Sequence, residues 1–351
     1  MMSSEPFSDC PVPIAIASTD QILLGHGSGG KLTARLIENI VLPLLRNPAL
    51  DLLDDQAVLT IGDSRIAFTT DSYVVTPLFF PGGDIGELAV NGTINDLAMS
   101  GARPIALSLG FILEEGLPLE TFERIVKSIQ RAAHAAGVSV VTGDTKVVGR
   151  GSADKIFINT SGIGIVPQGC VISSARVAPG DAIILSGPIG DHGVAILSCR
   201  EGIEFEGGMS SDTAALHELV AAMLASGADI HAMRDPTRGG VAATLVEIAS
   251  RRRIGMRVDE TTIPIRDSVR GACEMLGLDP LHVANEGKLV AFVPELEADV
   301  LLAAMRAHPL GREAKIIGHV TGESGMVRLR TSIGGERILD LPFSELLPRI
   351  C

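Results

Sequence analysis

The sequence predicts an α/β chain, α+β in its mixing of segregated and alternating elements, built as two domains. At 351 residues it exceeds the roughly 100 to 200 residues usual for one domain, so two cores are expected. Hydrophobic residues make up 46%, mostly Ala, Val, Ile and Leu, with 39 glycines and no tryptophan, a mixture that suits strands and helices joined by tight turns. Strand-like and helix-like apolar spacing also alternates along the chain.

After a loose segment 1–24, "QILLG" reads as a short strand into "GHGSGGK", and "LTARLIENIVLPLL" has helical spacing. "RIAFTTDS" is a strand ending in an acid. The helix that follows opens at Asp84, with Glu87 three residues on as in a capping box, and closes at Gly101 and Pro104. "IALSLGFIL" is a strand, and residues 120–136 form an amphipathic helix stopped by Gly137. "VSVVTGDTKVV" reads as strand into loop, and "IFINTSGIGIV" as a strand. The break at "PQG" divides a domain 25–166 from a domain 167–325. The second contains helices near 212–226, 239–252, 266–277 and 297–307, with strands "GMRVD", "KLVAFV" and "AKIIGHV". A short strand pair begins the segment 326–351, where Pro342 and Pro348 argue against a helix reaching Cys351.

A net charge of −13 opposes binding to nucleic acid, whose affinity comes from Lys and Arg neutralising phosphates. No apolar run is long enough to span a bilayer and the first residues lack a signal peptide's pattern, so a cytoplasmic protein without membrane contact is expected. Cys10, Cys170, Cys199, Cys273 and Cys351 are scattered, which predicts reduced thiols and neither a disulfide framework nor a structural zinc site.

"GHGSGGKL" nearly spells a phosphate-binding P-loop, but Leu32 stands where Ser or Thr would hold magnesium. A glycine-rich lid with Lys31 as its cation, meeting phosphates in another fold, is the better reading. Acids recur at strand ends and in loops: Asp54, Asp55, Asp71, Asp96, Asp144 and Asp235. Any one could be a cap or turn former; together, beside glycine turns and with Lys31 and Lys146 at hand, they suit Mg2+ bridging a triphosphate. Asn91 and Asn95 are four apart and share a helix face.

"DDQAV", the stretch from "TTDSYVV" to "NDLAMSGARPIALS", "VTGDTKVV", "NTSGIGIV", "DPTRGGVAATLVEIA", "ANEGKLV" and the terminal "PRIC" resemble, in this order, the HypE family of hydrogenase-maturation proteins. That family lies within the ATP-binding superfamily of aminoimidazole ribonucleotide synthetase, and "PRIC" is what selects it there. The resemblance implies an N-terminal mixed sheet that forms a barrel in a homodimer, a C-terminal α/β domain, and a flexible Cys-bearing tail. It implies ATP and Mg2+ bound by Lys31, Asp55, Asp71, Asn95, Asp96, Asp144 and Asp235, with Asp55, Asp71, Asp96 and Asp235 on the metal and Asp54 competing with Asp55.

The implied activity is a carbamoyl dehydratase. The Cys351 thiolate, on an exposed tail, captures a carbamoyl group from the carbamoyltransferase HypF. ATP-dependent dehydration turns the S-carboxamide into a thiocyanate, and the cyanide passes to the iron of a [NiFe]-hydrogenase precursor on the HypC–HypD scaffold. Glu286 and Lys146 are alternative bases for the nitrogen protons. His192 could touch the tail or the nucleotide, although a turn histidine fits its glycine-rich surroundings better. Pro348 and Arg349 would stiffen and charge the tail's approach. A sister activity such as selenophosphate synthesis is opposed by the lack of a cysteine in "GHGSGGK"; a docking protein that only presents its tail would be the other class.

Overall fold

Strand pairing gives two large sheets that meet over one long helix, besides a two-stranded ribbon. A computed structural model describes residues 21–203, 208–322, 325–342 and 350–351. Pro348 and Arg349 lie outside the described residues.

The expected strand at 21–25 is instead part of a turn, Leu24–Gly27 being a 3-10 helix. The His26 ring satisfies the Leu23 N–H at 2.9 Å, a local bond that competes with strand pairing. The next helix is broken into α1 (Lys31–Leu36), a π turn (Ile37–Val41) and α2 (Leu42–Leu45). Pro43 has no N–H for the regular ladder, and the widened turn, closed by Leu42 N–H to the Ile37 carbonyl, accommodates it.

β1 (Ala57–Ile61) and β2 (Ser64–Tyr73) form a hairpin, followed by the two-residue strands β3 (Phe79–Phe80) and β4 (Gly83–Asp84). α3 (Ile85–Met99) starts where Asp84 accepts from the N–H of Gly86 at 2.8 Å and of Glu87 at 3.1 Å, as its sequence pattern predicts. Gly101, at φ +75°, ends that turn in the left-handed region. Then come β5 (Arg103–Glu114), α4 (Leu119–Ala135), β6 (Ser139–Val148) and β7 (Ile156–Val166). Their sheet has the order β1-β2-β7-β5-β6 and is mixed, since β5 and β6 run parallel across α4. It is open, with β1 and β6 at its edges. "GDTK" lies within β6 rather than in a loop, because Asp144 pairs with Gly110 and Lys146 with Ile112.

The second sheet is built from β8 (Asp181–Leu185), β9 (Ala232–Arg234), β10 (Gly255–Asp259), β11 (Val290–Pro294), β12 (Lys315–Thr321), β13 (Val327–Arg330) and β14 (Glu336–Leu339). Its order is β14-β13-β10-β12-β8-β11-β9. α5 (Asp191–Glu201), α6 (His217–Ala225), α7 (Gly240–Arg252), α8 (Asp267–Leu276) and α9 (Ala298–Ala307) accompany it. α3 is buried nearly all round, touching β2, β7 and α4 on one side and α6 and β9 on the other. A helix enclosed in this way is apolar on every face except where a polar side chain finds a partner. Among the described residues no helix is long and apolar enough to cross a membrane.

Candidate active site

Of the acids singled out in the sequence, Asp55, Asp71, Asp96 and Asp235 form one cluster, in which the Asp71 side chain keeps 32% exposure, while Asp54 and Asp144 stand outside it. Asp55, before β1, has one carboxyl oxygen 2.6 Å from the Arg234 guanidinium, while its Oδ2 is buried without a partner. Asp71 projects from β2, with Oδ1 accepting from the Ser72 N–H at 2.7 Å and 3.9 Å from Arg238. Asp96 comes from α3 and accepts from the Thr69 hydroxyl at 2.8 Å. Asp235 follows β9 directly, so one strand end delivers it beside Arg234.

Burial pushes the carboxyl pKa of each of these acids up. Mutual repulsion adds to it: Asp235 raises Asp55 and Asp96, and Asp71 raises Asp96 and Asp235. Arg234 opposes the effect at Asp55 and Asp235, as Arg238 does at Asp71. The neighbouring Asp54 is already used: it accepts from both Ser173 and Ser174 hydroxyls, at 2.7 and 2.5 Å, and ties down the segment leading to β8.

Among the described residues no group of three or more His, Cys, Asp or Glu side chains is arranged to hold a metal ion by itself. The donor set still fits magnesium bound with a nucleotide. Such an ion takes one or two carboxylates and completes its shell with phosphate oxygens and water. The orphaned Asp55 Oδ2 and the repelling carboxylates would both gain from a cation.

Asp235 is pushed up to about 6, first by burial. An acid whose folded pKa exceeds its unfolded value holds more protons when folded, so stability falls as pH rises through the interval between the two values. Asp235→Asn should therefore stabilise the nucleotide-free protein by up to roughly 3 kcal/mol at pH 7.5 and by much less at pH 4.5. Urea denaturation at the two pH values checks this; an equal gain at both would refute the electrostatic origin.

The glycine-rich segment lies against Arg238, the cation beside Asp71. Gly29, at φ +76°, abuts the Arg238 carbonyl, and the Arg238 guanidinium donates to the Gly27 carbonyl at 3.3 Å. A Cβ at Gly30 would come within 2.6 Å of the Pro342 carbonyl, so the close approach of the terminal segment requires glycine there. Lys31 pairs with Asp340 instead of an acid of the cluster.

Asn95 and Asn91 share the face expected of them, but it is not solvated. Asn95 donates to the Ala214 carbonyl at 3.0 Å and the Glu286 carbonyl at 3.3 Å, and accepts from the Leu216 N–H at 2.8 Å. Its amide thus holds the loop that carries Glu286; contact with a nucleotide would require one of these bonds to break. Asp144 and Lys146 stand apart on the exposed edge strand β6, paired with each other at 2.8 Å.

"ANEGK" forms a pinned turn. Asn285 accepts from the Gly190 N–H at 2.8 Å and donates to the Pro236 carbonyl at 2.9 Å, and Lys288 makes a buried ion pair with Asp212 at 2.8 Å. Gly287 tolerates no side chain, since its Cβ would meet the Asp212 carbonyl at 1.8 Å. Between these fixed points Glu286 is 3% exposed, with Oε1 unpartnered. Burial, then Asp235, Asp71 and Asp212, push its carboxyl well above the usual range, against Arg238.

Cys351 is docked in this site rather than exposed: it is 8% accessible, and it and Ile350 belong to the apolar core that also contains Ile196 and Ala284. Its thiol lies close enough to the Glu286 carboxyl, Asp71 and Arg238 for each to act on it electrostatically. Burial raises the thiol pKa well above normal, Arg238 opposes this, and Glu286 and Asp71 reinforce it. His192 is not a free turn histidine; its ring contacts the Ile350 carbonyl at 2.8 Å. Sequence reasoning passed over Arg234 and Arg238, although both stand in "RDPTRGG" and are the cations that hold the acid cluster.

Models of AIR synthase related proteins match the chain over residues 53–166 for the N-terminal domain and 178–329 for the C-terminal domain. Carbamoyl dehydratase HypE of Azotobacter vinelandii is 57% identical over 93% of this chain and 96% of its own length. The chain belongs to the HypE family. A HypE–HypF complex contains a similar chain, with TM-score 0.83, 46% identity and coverage of 88% of this chain and 99% of that one. HypE solved in complex with ATP has TM-score 0.80 and 50% identity, covering 94% of this chain and 100% of that one. The mixed sheet and second α/β layer described above are therefore the HypE fold.

Proposed function

We propose that this chain performs the ATP-dependent dehydration of a carbamoyl group carried on Cys351, converting an S-carboxamide into an S-cyanide. The observation that carries this reading is the meeting of the terminal thiol with the buried Glu286 carboxyl beside the acid cluster.

The protein's part in the reaction is to position and to move protons. ATP supplies a phosphoryl group that turns the amide oxygen into a phosphate, a far better leaving group than hydroxide. Asp55, Asp71, Asp96 and Asp235 would hold it with Mg2+, under the glycine-rich segment and Lys31. Arg238 offers a positive charge between the Cys351 sulfur and Asp71. Glu286 is the direct base: like-charged neighbours and burial make it a stronger proton acceptor than an exposed glutamate, as an amide N–H requires. In balance, the carboxamide and ATP give thiocyanate, ADP, phosphate and one proton.

A docked thiol with a raised pKa is a poor nucleophile, which supports capture of the carbamoyl group away from the cleft. HypF fits as donor, since a HypE relative forms a complex with it. HypC–HypD iron is the acceptor in this reading, and a cytoplasmic location is what the reading expects.

A homodimer is supported by the edge strand β6, which leaves Val140, Val141 and Val147 exposed at 41%, 64% and 68%. Pairing with a second copy would cover them and carry Asp144 and Lys146 toward the partner's cleft.

Phosphate release from ATP by carbamoyl-loaded and unloaded protein tests the reading. Release that depends on the loaded thiol is expected; a protein that only presents its tail releases none in either state.

A further inference from the structure

His192 lies in the first turn of α5 and is fully buried. A backbone carbonyl can only accept, so the 2.8 Å contact with Ile350 requires the proton on His192 Nε2. Burial holds the imidazole below its usual pKa, which leaves the ring neutral and Nδ1 an acceptor for the Ser211 hydroxyl at 2.8 Å. Ser211 is itself anchored: its Oγ accepts from the Thr213 N–H at 3.1 Å, and its own N–H donates to the Pro81 carbonyl at 2.8 Å. The Phe80 ring meets the imidazole edge-on, with centroids 5.6 Å apart.

The terminal dipeptide is gripped from other directions too. The Val74 N–H donates to a main-chain carboxylate oxygen of Cys351 at 3.3 Å. The Ile350 side chain sits against Gly193, its Cδ1 only 3.2 Å from where a Cβ would stand. None of these groups holds phosphate or moves a proton in the reaction described above.

We propose that His192 is a positioning residue: fixed by Ser211 as the Nε2–H tautomer, it grips the penultimate carbonyl and, with the Ile350 side chain as anchor, seats Cys351 against Glu286. This seat sets the fraction of molecules whose thiol is in the cleft. It consists of a few hydrogen bonds and one apolar side chain, enough to align the sulfur yet weak enough to release it. Its consequence for catalysis rests on Cys351 as the carbamoyl carrier, whereas the seat itself does not.

The test is site-resolved alkylation of the full-length, nucleotide-free protein with iodoacetamide, read by peptide mass spectrometry. Exposed Cys199 and buried Cys273 are internal references. A buried carbonyl that loses its donor predicts roughly five- to a hundredfold faster alkylation of Cys351 in His192→Ala, with both references unchanged. Ser211→Ala should show a smaller rise. His192→Gln, whose amide can reach the same carbonyl, should regain much of the protection.

A wild-type Cys351 rate in His192→Ala overturns the proposal. So does parallel acceleration of Cys351 and Cys273 in both alanine variants, since His192 would then be supporting the second domain. The readout involves neither ATP nor a carbamoyl donor, so failure of the dehydration chemistry leaves it unmoved.

Discussion

Cys351→Ala abolishes carbamoyl-dependent phosphate release from ATP while nucleotide binding is retained. Sulfur is the atom on which the substrate is built, and no other described cysteine can replace it. Cys273 is buried in a separate apolar cluster, with its thiol pushed up to about 11 by burial. Cys170 is likewise raised by burial, and its sulfur contacts the Ser100 carbonyl. Cys199 is exposed near the end of α5. Trimming one side chain at the chain end should cost at most about 1 kcal/mol in folding, so a lost rate reflects chemistry. Phosphate release and nucleotide titration on the same preparation check both halves.

Glu286→Gln lowers the rate of S-carboxamide dehydration by about 10²- to 10⁴-fold, the usual contribution of a positioned base. The glutamine keeps the shape and can hydrogen-bond, but it cannot take a proton. Folding should survive the change, because the wild-type carboxyl is driven toward its neutral form by burial and by Asp235, Asp71 and Asp212. The sign of the pH effect follows: wild-type activity rises as pH climbs through the raised Glu286 pKa, and the variant loses that limb. A single-turnover pH profile of the loaded protein measures it. An unchanged profile would take the base role away from Glu286; Lys146, the other candidate, is exposed and paired with Asp144.

Local signals were readable where the chain satisfies itself over a few residues. Asp84 caps α3 because its carboxyl and the free N–H groups of Gly86 and Glu87 are neighbours in sequence. The glycines of "GHGSGGK" were legible as a lid but not for what they touch: two of them press against carbonyls of Arg238 and Pro342. Longer-range choices were hidden. "GDTK" looks like a loop until its pairing with β5 extends the strand, and nothing local reveals that partner. Asp54 and Asp55 are chemically identical in the sequence; only the position of Ser173 and Ser174 directs one to a structural bond and leaves the other in the cluster.

The terminal cysteine is the clearest case. Termini usually fray, and composition alone assigns a last residue to solvent. Here Ile350 supplies an apolar anchor and His192 a donor, both meaningful only once α5 and the "NEG" turn converge. Arg238 was legible as part of a motif but not as the cation facing the thiol, since that role depends on the chain end returning to the first domain.

The most direct measurement is the intact mass of the C-terminal peptide after incubation with a carbamoyl donor, ATP and magnesium. A carbamoyl adduct on Cys351 that loses the mass of one water only when ATP is present is the predicted result. An adduct on a different cysteine, no adduct, or loss of water without ATP would contradict it.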